Sequence, residues 1–121
     1  MKSAAMTVKV FGVYLVMIGL ALMCAPNVVL PVLGFPQTTE TWVRVLGALA
    51  AILGYYYWAS GSANARAFFV LTVQGRMMFC AASLALVVWA DAPMALIAIG
   101  LVDVAGAGWT LAALRSEARA G

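Results

Sequence analysis

Two charged side chains, Arg76 and Asp103, lie inside apolar stretches that are long enough to cross a membrane. An ionised side chain that faces lipid costs about 2.5–3.5 kcal/mol on insertion scales, so such residues usually face the protein interior or a ligand. These residue types suggest two kinds of chemistry. One is an ion pair between the arginine and the aspartate, and the other is binding of a small anionic or lipophilic molecule.

The expected depths of Arg76 and Asp103 favour a pairing between them. Counted from the 91–93 link at about 1.5 Å per residue, Arg76 lies about 23 Å and Asp103 about 17 Å along two antiparallel helices. The offset of about 6 Å by that same rise is within reach of an extended arginine. Hydroxyl side chains share the same helix faces at helical spacing. We therefore predict a mid-membrane ion-pair or ligand site formed by Arg76, Asp103, Thr72, Ser83 and Thr110.

The composition provides no set of residues for catalysis. The chain has no histidine, which excludes the usual general base at neutral pH and histidine-based metal sites. Its two cysteines, Cys24 and Cys80, do not have the spacing of a thiol redox or metal motif. One arginine and one aspartate form no known acid–base or nucleophilic set. We expect no catalytic residue, no metal and no cofactor, and a protein that is not an enzyme.

The overall composition indicates an integral membrane protein. Of 121 residues, 66% are apolar and only 9% are charged, whereas about 25% are charged in soluble domains. The net charge of +3 comes from residues between and beside the apolar stretches, without a basic stripe. These charges indicate topology, and nucleic-acid binding is not expected.

Four apolar stretches have the length of about 20 residues that a membrane span needs. We predict one transmembrane domain over residues 1–121, an all-α four-helix bundle of up-down-up-down topology without a soluble domain. The short links make the second and third, and the third and fourth, spans antiparallel neighbours. Small residues would add the second helix to the polar seam, namely Gly47, Ala51 and Gly54. The predicted spans are 8–25, 42–60, 66–90 and 92–114.

The connections carry three local predictions. Residues 26–41 contain three prolines and many apolar side chains, so we expect them to lie in the membrane interface or to cover the end of the bundle. Thr39 and Asp91 are expected to cap the N-termini of the second and fourth helices. Arg44 is expected to pair with Glu40 one turn away.

The distribution of lysine and arginine predicts the orientation. The side that holds both termini and the 61–65 turn carries five basic residues, and the opposite side carries only Arg44. Because basic residues accumulate in the cytoplasm, both termini are expected there, in a multi-pass protein of a bacterial inner membrane. The five are Lys2, Lys9, Arg66, Arg115 and Arg119.

Three segments resemble small bacterial four-helix integral membrane proteins, near the BphX-like and DoxX-like groups of conserved hypothetical proteins. They are RVLGALAAILGYYYWAS, RAFFVLTVQGR and PMALIAIGLVDVAGAGWT. The resemblance extends over residues 8–114 and implies a membrane protein without catalytic residues to carry over.

We expect a non-enzymatic accessory or scaffold subunit whose partners are the lipid bilayer and a second copy of the chain or a larger membrane complex. The alternative is a carrier or binder of a small lipophilic or anionic molecule at Arg76 and Asp103.

Overall fold

The computed structural model describes residues 3–120, and all regular elements in this range are α-helices. The predicted all-α class is therefore confirmed. Lys2, which was counted in the topology prediction, lies outside the described residues. The helices are α1 (Ser3–Cys24), α2 (Pro26–Val32), α3 (Trp42–Ser62), α4 (Arg66–Ala90) and α5 (Ala95–Ala120).

Three of the five helices, α1, α4 and α5, are long and apolar enough to cross a membrane. Helix α3 coincides with the second predicted span and has 21 residues. Its second half contains three consecutive tyrosines and ends in Ser60, Gly61 and Ser62. Length and hydropathy therefore mark three helices as candidate spans, and α3, which has a similar length, is not among them.

Helices α1 and α3 pack antiparallel, with backbone against backbone. Gly12 lies opposite Gly54, where a Cβ built on Gly12 would lie 2.7 Å from the Gly54 carbonyl oxygen. Gly19 lies opposite Gly47, where a Cβ on Gly47 would lie 2.6 Å from the Gly19 carbonyl oxygen. The small residues of α3 thus face α1, and not α4 and α5 as expected, because α1 has glycines at the same seven-residue spacing.

Helix α1 lies between the other long helices. It contacts α5 and α4 in addition to α3, whereas α3 and α4 make only a small contact despite their short link. Helices α4 and α5 form an antiparallel pair, in which Gly100 approaches Cys80 and Gly106 approaches Arg76. The second and third predicted spans, α3 and α4, were expected to be neighbours, but they make only a minor contact because α1 packs against α3.

The link between α1 and α3 covers one end of the helices. Pro26 is in the first turn of α2, where a missing N–H is tolerated. Leu30 of α2 is buried against Leu22 of α1 and Val43 of α3. This arrangement agrees with the expectation that residues 26–41 cover the end of the bundle, and it adds a short helix that contains Pro31.

The helix ends differ from the predicted caps. Thr41, and not Thr39, is the N-cap of α3, and its side chain makes no capping hydrogen bond. Arg44 donates from Nη1 to the carbonyl oxygen of Met23 at 2.6 Å, and it forms no ion pair with Glu40. An arginine at this position completes the C-terminus of α1, where carbonyl groups lack helical partners.

Asp91 ends α4 instead of starting α5. It adopts the left-handed conformation with φ 56° and ψ 34°, which ends the helix. Three residues then precede α5, which begins at Ala95 instead of residue 92. Aspartate is suited to this position because its short polar side chain tolerates the left-handed region.

The opposite end of the helices is joined by polar contacts. Glu117 of α5 accepts a hydrogen bond from the Ala4 backbone N–H at 2.9 Å and pairs with Arg66 of α4 at 2.6 Å. The start of α1, the α3–α4 link and the end of α5 therefore lie at one end of the molecule.

Candidate functional site

Arg76 is buried where α1, α4 and α5 meet, with 2% of its surface exposed. Its Nε donates to the Thr72 carbonyl oxygen at 3.1 Å. Its Nη2 donates to Thr72 Oγ1 at 2.9 Å and to Thr110 Oγ1 at 3.0 Å. One guanidinium thus binds the preceding turn of its own helix and the neighbouring helix α5.

A chain of hydroxyl groups extends this contact to α1. Thr7 Oγ1 donates to the Ala4 carbonyl oxygen at 2.8 Å, so its single proton is engaged. The 2.7 Å hydrogen bond between Thr110 and Thr7 is therefore donated by Thr110. Thr72 in turn donates to the Phe69 carbonyl oxygen at 2.7 Å. Each of the three hydroxyls therefore accepts a hydrogen bond from the side of Arg76 and donates one away from it. The two branches end at the carbonyl oxygens of Ala4 and Phe69.

Two aromatic rings flank the guanidinium. Arg76 Cζ lies 4.8 Å from the ring centre of Phe11 and 5.7 Å from that of Tyr57. Both rings are buried, and aromatic faces attract a cation electrostatically, more strongly when water is excluded. Helix α3 thus contributes to the surroundings of Arg76 through Tyr57.

Asp103 is also buried, at 8% exposure, but it forms no ion pair with Arg76 within 4.0 Å. Helical side chains lean towards the N-terminus of their own helix. In the antiparallel α4–α5 pair, Arg76 therefore leans towards Thr72 and Asp103 leans towards the opposite end. This divergence adds to the offset of about 6 Å between the two Cα positions, so the two side chains lie further apart than the positions along the helices predict.

Two charged groups near this junction have unmet hydrogen-bonding capacity among residues 3–120. Arg76 Nη1 is buried without a hydrogen-bond partner among the described residues, and it lies beside Gly106, where a Cβ would be 3.2 Å away. Asp103 accepts no hydrogen bond from any residue between 3 and 120. The two charges nevertheless act on each other coulombically.

Ser83 lies apart from the other predicted site residues. It is buried at 1% exposure and donates to the Phe79 carbonyl oxygen of its own helix at 2.9 Å. Seven residues separate it from Arg76, which is about 10 Å along α4. The structure therefore brings Thr72, Arg76 and Thr110 together and leaves Ser83 and Asp103 outside this hydrogen-bonded cluster.

Thr7 and the aromatic residues Phe11 and Tyr57 belong to the cluster and were not predicted. Thr7 lies one residue before the predicted first span, which begins at Val8. A signal was present, because Thr7 and Phe11 are four residues apart and share one face of α1.

The cluster is suited to holding helices together. No group of three or more metal-ligating side chains occurs among residues 3–120. Two surface clefts of the described residues are lined by residues outside this cluster. Cys24 and Cys80 are both free thiols.

No protein-family model, curated protein or solved structure matches this chain. The resemblance to BphX-like and DoxX-like proteins stays a prediction.

Proposed function

We propose that the protein is a non-enzymatic scaffold subunit of a bacterial inner membrane, related to the small BphX-like and DoxX-like proteins. The observation that carries this proposal is the set of hydrogen bonds that Arg76 makes. Its guanidinium binds threonines of its own helices, with Nε and Nη2 both engaged within α4 and α5. A buried charge used in this way fixes the arrangement of helices.

We infer that four helices span the bilayer in up-down-up-down order, with α3 as the second span. Helix α3 follows α1 through two glycine crossings, Gly12 with Gly54 and Gly19 with Gly47. If α1 crosses the membrane, its partner must lie at the same depth. The 21 residues of α3 extend about 31 Å, close to the hydrocarbon thickness of about 30 Å.

The inferred orientation places both termini in the cytoplasm. Lys9, Arg66, Arg115 and Arg119 belong to the end where α1 starts, α4 starts and α5 finishes, and Arg44 belongs to the other end. Basic residues beside spans favour the cytoplasmic side.

A polar side chain on the outer surface supports packing against a partner. Gln74 of α4 is exposed in the middle of a candidate span and makes no hydrogen bond among residues 3–120. Next to it, a Cβ built on Gly75 would contact no neighbouring part of residues 3–120 within 4 Å, and the same holds for Gly108 of α5. Glycines let helices approach closely in membranes, and an amide then bonds across the contact. We assign the Gln74 face to a second copy or a larger complex.

Purification of the tagged full-length protein in mild detergent tests this assignment. The wild-type protein is expected to elute as an oligomer or with a membrane partner. Gln74→Leu and Gly75→Leu should lose this association without a lower melting temperature, because neither residue contacts the interior. Leu84→Ala is the control, because Leu84 is exposed and lies ten residues from Gln74, on a different side of α4, and this variant should associate normally. A strictly monomeric wild-type particle without partners would overturn the scaffold proposal.

A second candidate function is binding of a small anion with an apolar body. The observation that favours it is the unpartnered, buried Nη1 of Arg76. Benzoate serves as a probe, since it combines a carboxylate with an apolar ring. Stabilisation of the wild-type protein by benzoate, absent in Arg76→Gln, would support binding. Equal melting curves with and without benzoate would dismiss it.

A further inference from the structure

The outer face of the α1–α3 pair carries two clefts that lie end to end. The first has a volume of about 200 Å³ and lies at the end of the molecule that holds the α3–α4 link. The second has a volume of about 310 Å³ and continues towards the middle of the two helices. The first is lined by Ala5, Met6, Lys9, Gly61, Ser62 and Asn64.

The two clefts meet at a cation–aromatic contact. Lys9 Nζ, from the first cleft, lies 4.4 Å from the ring centre of Trp58, and Trp58 lines the second cleft. Gly61 makes this possible, because its missing side chain leaves room for the aliphatic part of Lys9. The two clefts are therefore adjacent, and we treat them as one groove with a polar end and an apolar remainder.

The polar end of the groove contains a cation without an ion-pair partner and an acceptor without a donor, both among residues 3–120. No carboxylate among residues 3–120 lies within 4.0 Å of the Lys9 ammonium group. Asn64 Oδ1 is buried without a hydrogen-bond partner in the same part of the chain. A ligand that matches this end carries a negative charge for Lys9 and a hydrogen-bond donor for Asn64.

The apolar cleft extends from the polar end along α1 and α3. Gly12, Val13, Val16 and Met17 line it from α1, and Ala51, Tyr55 and Trp58 line it from α3. Lys9 and Met17 lie eight residues apart on α1, which is about 12 Å. Half of the hydrocarbon core is about 15 Å. An acyl chain that starts beside Lys9 therefore ends close to the bilayer midplane.

We propose that this groove binds one anionic glycerophospholipid whose headgroup carries hydroxyl groups, in the leaflet on the side of the termini. The phosphate accepts hydrogen bonds from Lys9 and Ser62, and a headgroup hydroxyl donates to Asn64 Oδ1. One acyl chain lies along the apolar cleft between Val13 and Tyr55. The inference rests on the proposed placement of α1 and α3 in the bilayer, and it goes beyond the scaffold role.

Native mass spectrometry of the purified full-length protein tests this site, with phosphatidylglycerol and phosphatidylethanolamine of identical acyl chains as probes. The wild-type protein should retain one phosphatidylglycerol in preference to phosphatidylethanolamine. Lys9→Gln should lower the apparent affinity for phosphatidylglycerol about tenfold, since a charge-assisted hydrogen bond is lost. Lys9→Arg keeps the charge and should retain the preference. Val13→Trp fills the apolar cleft and should weaken binding of both lipids.

Arg119→Gln is the matched control, because it removes one positive charge from the same end of the molecule without touching the groove. Equal retention of the two lipids by the wild-type protein, or equal loss in Lys9→Gln and Arg119→Gln, would overturn the site. Carbonate extraction separates this failure from that of the proposed function. Release of the chain from membranes refutes the bilayer placement, whereas a membrane-retained chain without lipid preference refutes only the groove.

Discussion

The α1–α3 interface and the junction of α1, α4 and α5 hold helices together by opposite means. Along α1–α3, the glycine crossings bring main chains so close that a Cβ at Gly47 would lie 2.6 Å from a carbonyl oxygen. At the other junction, a guanidinium and three threonines form a buried hydrogen-bonded chain. On one side, α1 packs through glycines that lack side chains. On the other side, it is held by hydrogen bonds between polar side chains.

The difference reflects the solvent. Lipid is as apolar as leucine, so helix association in a membrane gains little from the hydrophobic effect and depends on close packing and hydrogen bonds. A backbone contact has no room for a residue larger than glycine, so it is specific in geometry but does not tolerate substitution. A polar cluster tolerates changes of shape, but it depends on every donor and acceptor being satisfied. Variants of the two interfaces should therefore fail in different ways.

The largest effect is expected at the glycine interface. Gly47→Leu should destabilise the protein by about 3 kcal/mol, because the clash involves the backbone of α1, which cannot rotate away as a side chain would. The melting temperature in detergent measures the effect. Gly108→Leu, where a Cβ meets nothing within 4 Å, should melt like the wild-type protein. Similar melting of both variants would show that the glycine contact is not required.

Replacement of the guanidinium should have the next largest effect. Arg76→Gln removes the donors to Thr72 and Thr110 and should cost about 2 kcal/mol, within the range for hydrogen bonds to charged groups. Arg76→Lys keeps the charge but loses the forked geometry and should fall between Gln and the wild type. Chemical denaturation in detergent measures both. A lysine variant as unstable as the glutamine variant would mean that charge alone contributes little.

Thr110→Val tests the link between α5 and α1. The variant loses the hydrogen bonds to Arg76 and Thr7 while keeping its shape, and we expect a loss of about 1 kcal/mol, as for polar contacts in other membrane proteins. A double-mutant cycle with Thr7→Val should give a coupling of about 0.6 kcal/mol. Strict additivity would contradict the shared hydrogen bond.

Asp103→Asn should have a smaller effect than a broken ion pair. No direct bond to Arg76 is lost, and the weaker coulombic attraction is offset by the lower cost of burying a neutral amide, so we expect a change below about 1 kcal/mol. The measurement is the unfolding free energy beside that of Arg76→Gln. A loss of about 3–5 kcal/mol would indicate a direct buried pair instead.

The smallest loss of stability is expected at the end of the molecule that holds the Arg66–Glu117 ion pair. Arg66→Gln removes the ion pair with Glu117, whose side chains are 44% and 14% exposed. Water and salt screen such a pair, so the expected loss is below about 0.5 kcal/mol. Raising the ionic strength should lower the stability of the wild-type protein by the same small amount and leave the variant unchanged. A loss of about 2 kcal/mol would show that this ion pair contributes as much to stability as the hydrogen bonds of Arg76.

The sequence allowed prediction of features that depend on one helix at a time. Helix α4 begins and ends where its apolar stretch does, at Arg66 and Ala90. Thr72 and Arg76 were grouped because residues four apart share a helix face. Burial of Arg76 followed from the cost of exposing a charge to lipid. Such rules need no knowledge of the neighbouring helices.

Features that depend on which helices meet were not predicted. The loop lengths favoured contact between α3 and α4, while the matching glycines of α1 and α3 bring those two helices together. The missing ion pair has a similar origin, since the lean of Arg76 and Asp103 matters only once their helices are known to be antiparallel. Thr7 joins the cluster only because α1 crosses Thr110.

The equal spacing of the glycines in α1 and α3 permits more than one register. A shift of α3 by seven residues, about 10 Å, would place Gly12 against Gly47 and preserve one crossing. The native alignment has a second glycine crossing, and it is favoured further by contacts outside the glycine rows. They are the hydrogen bond from Arg44 to Met23 and the packing of Leu30 against Val43. The short helix α2 and Arg44 thus favour the native alignment of α1 and α3 over the shifted one, in addition to covering the end of the helices.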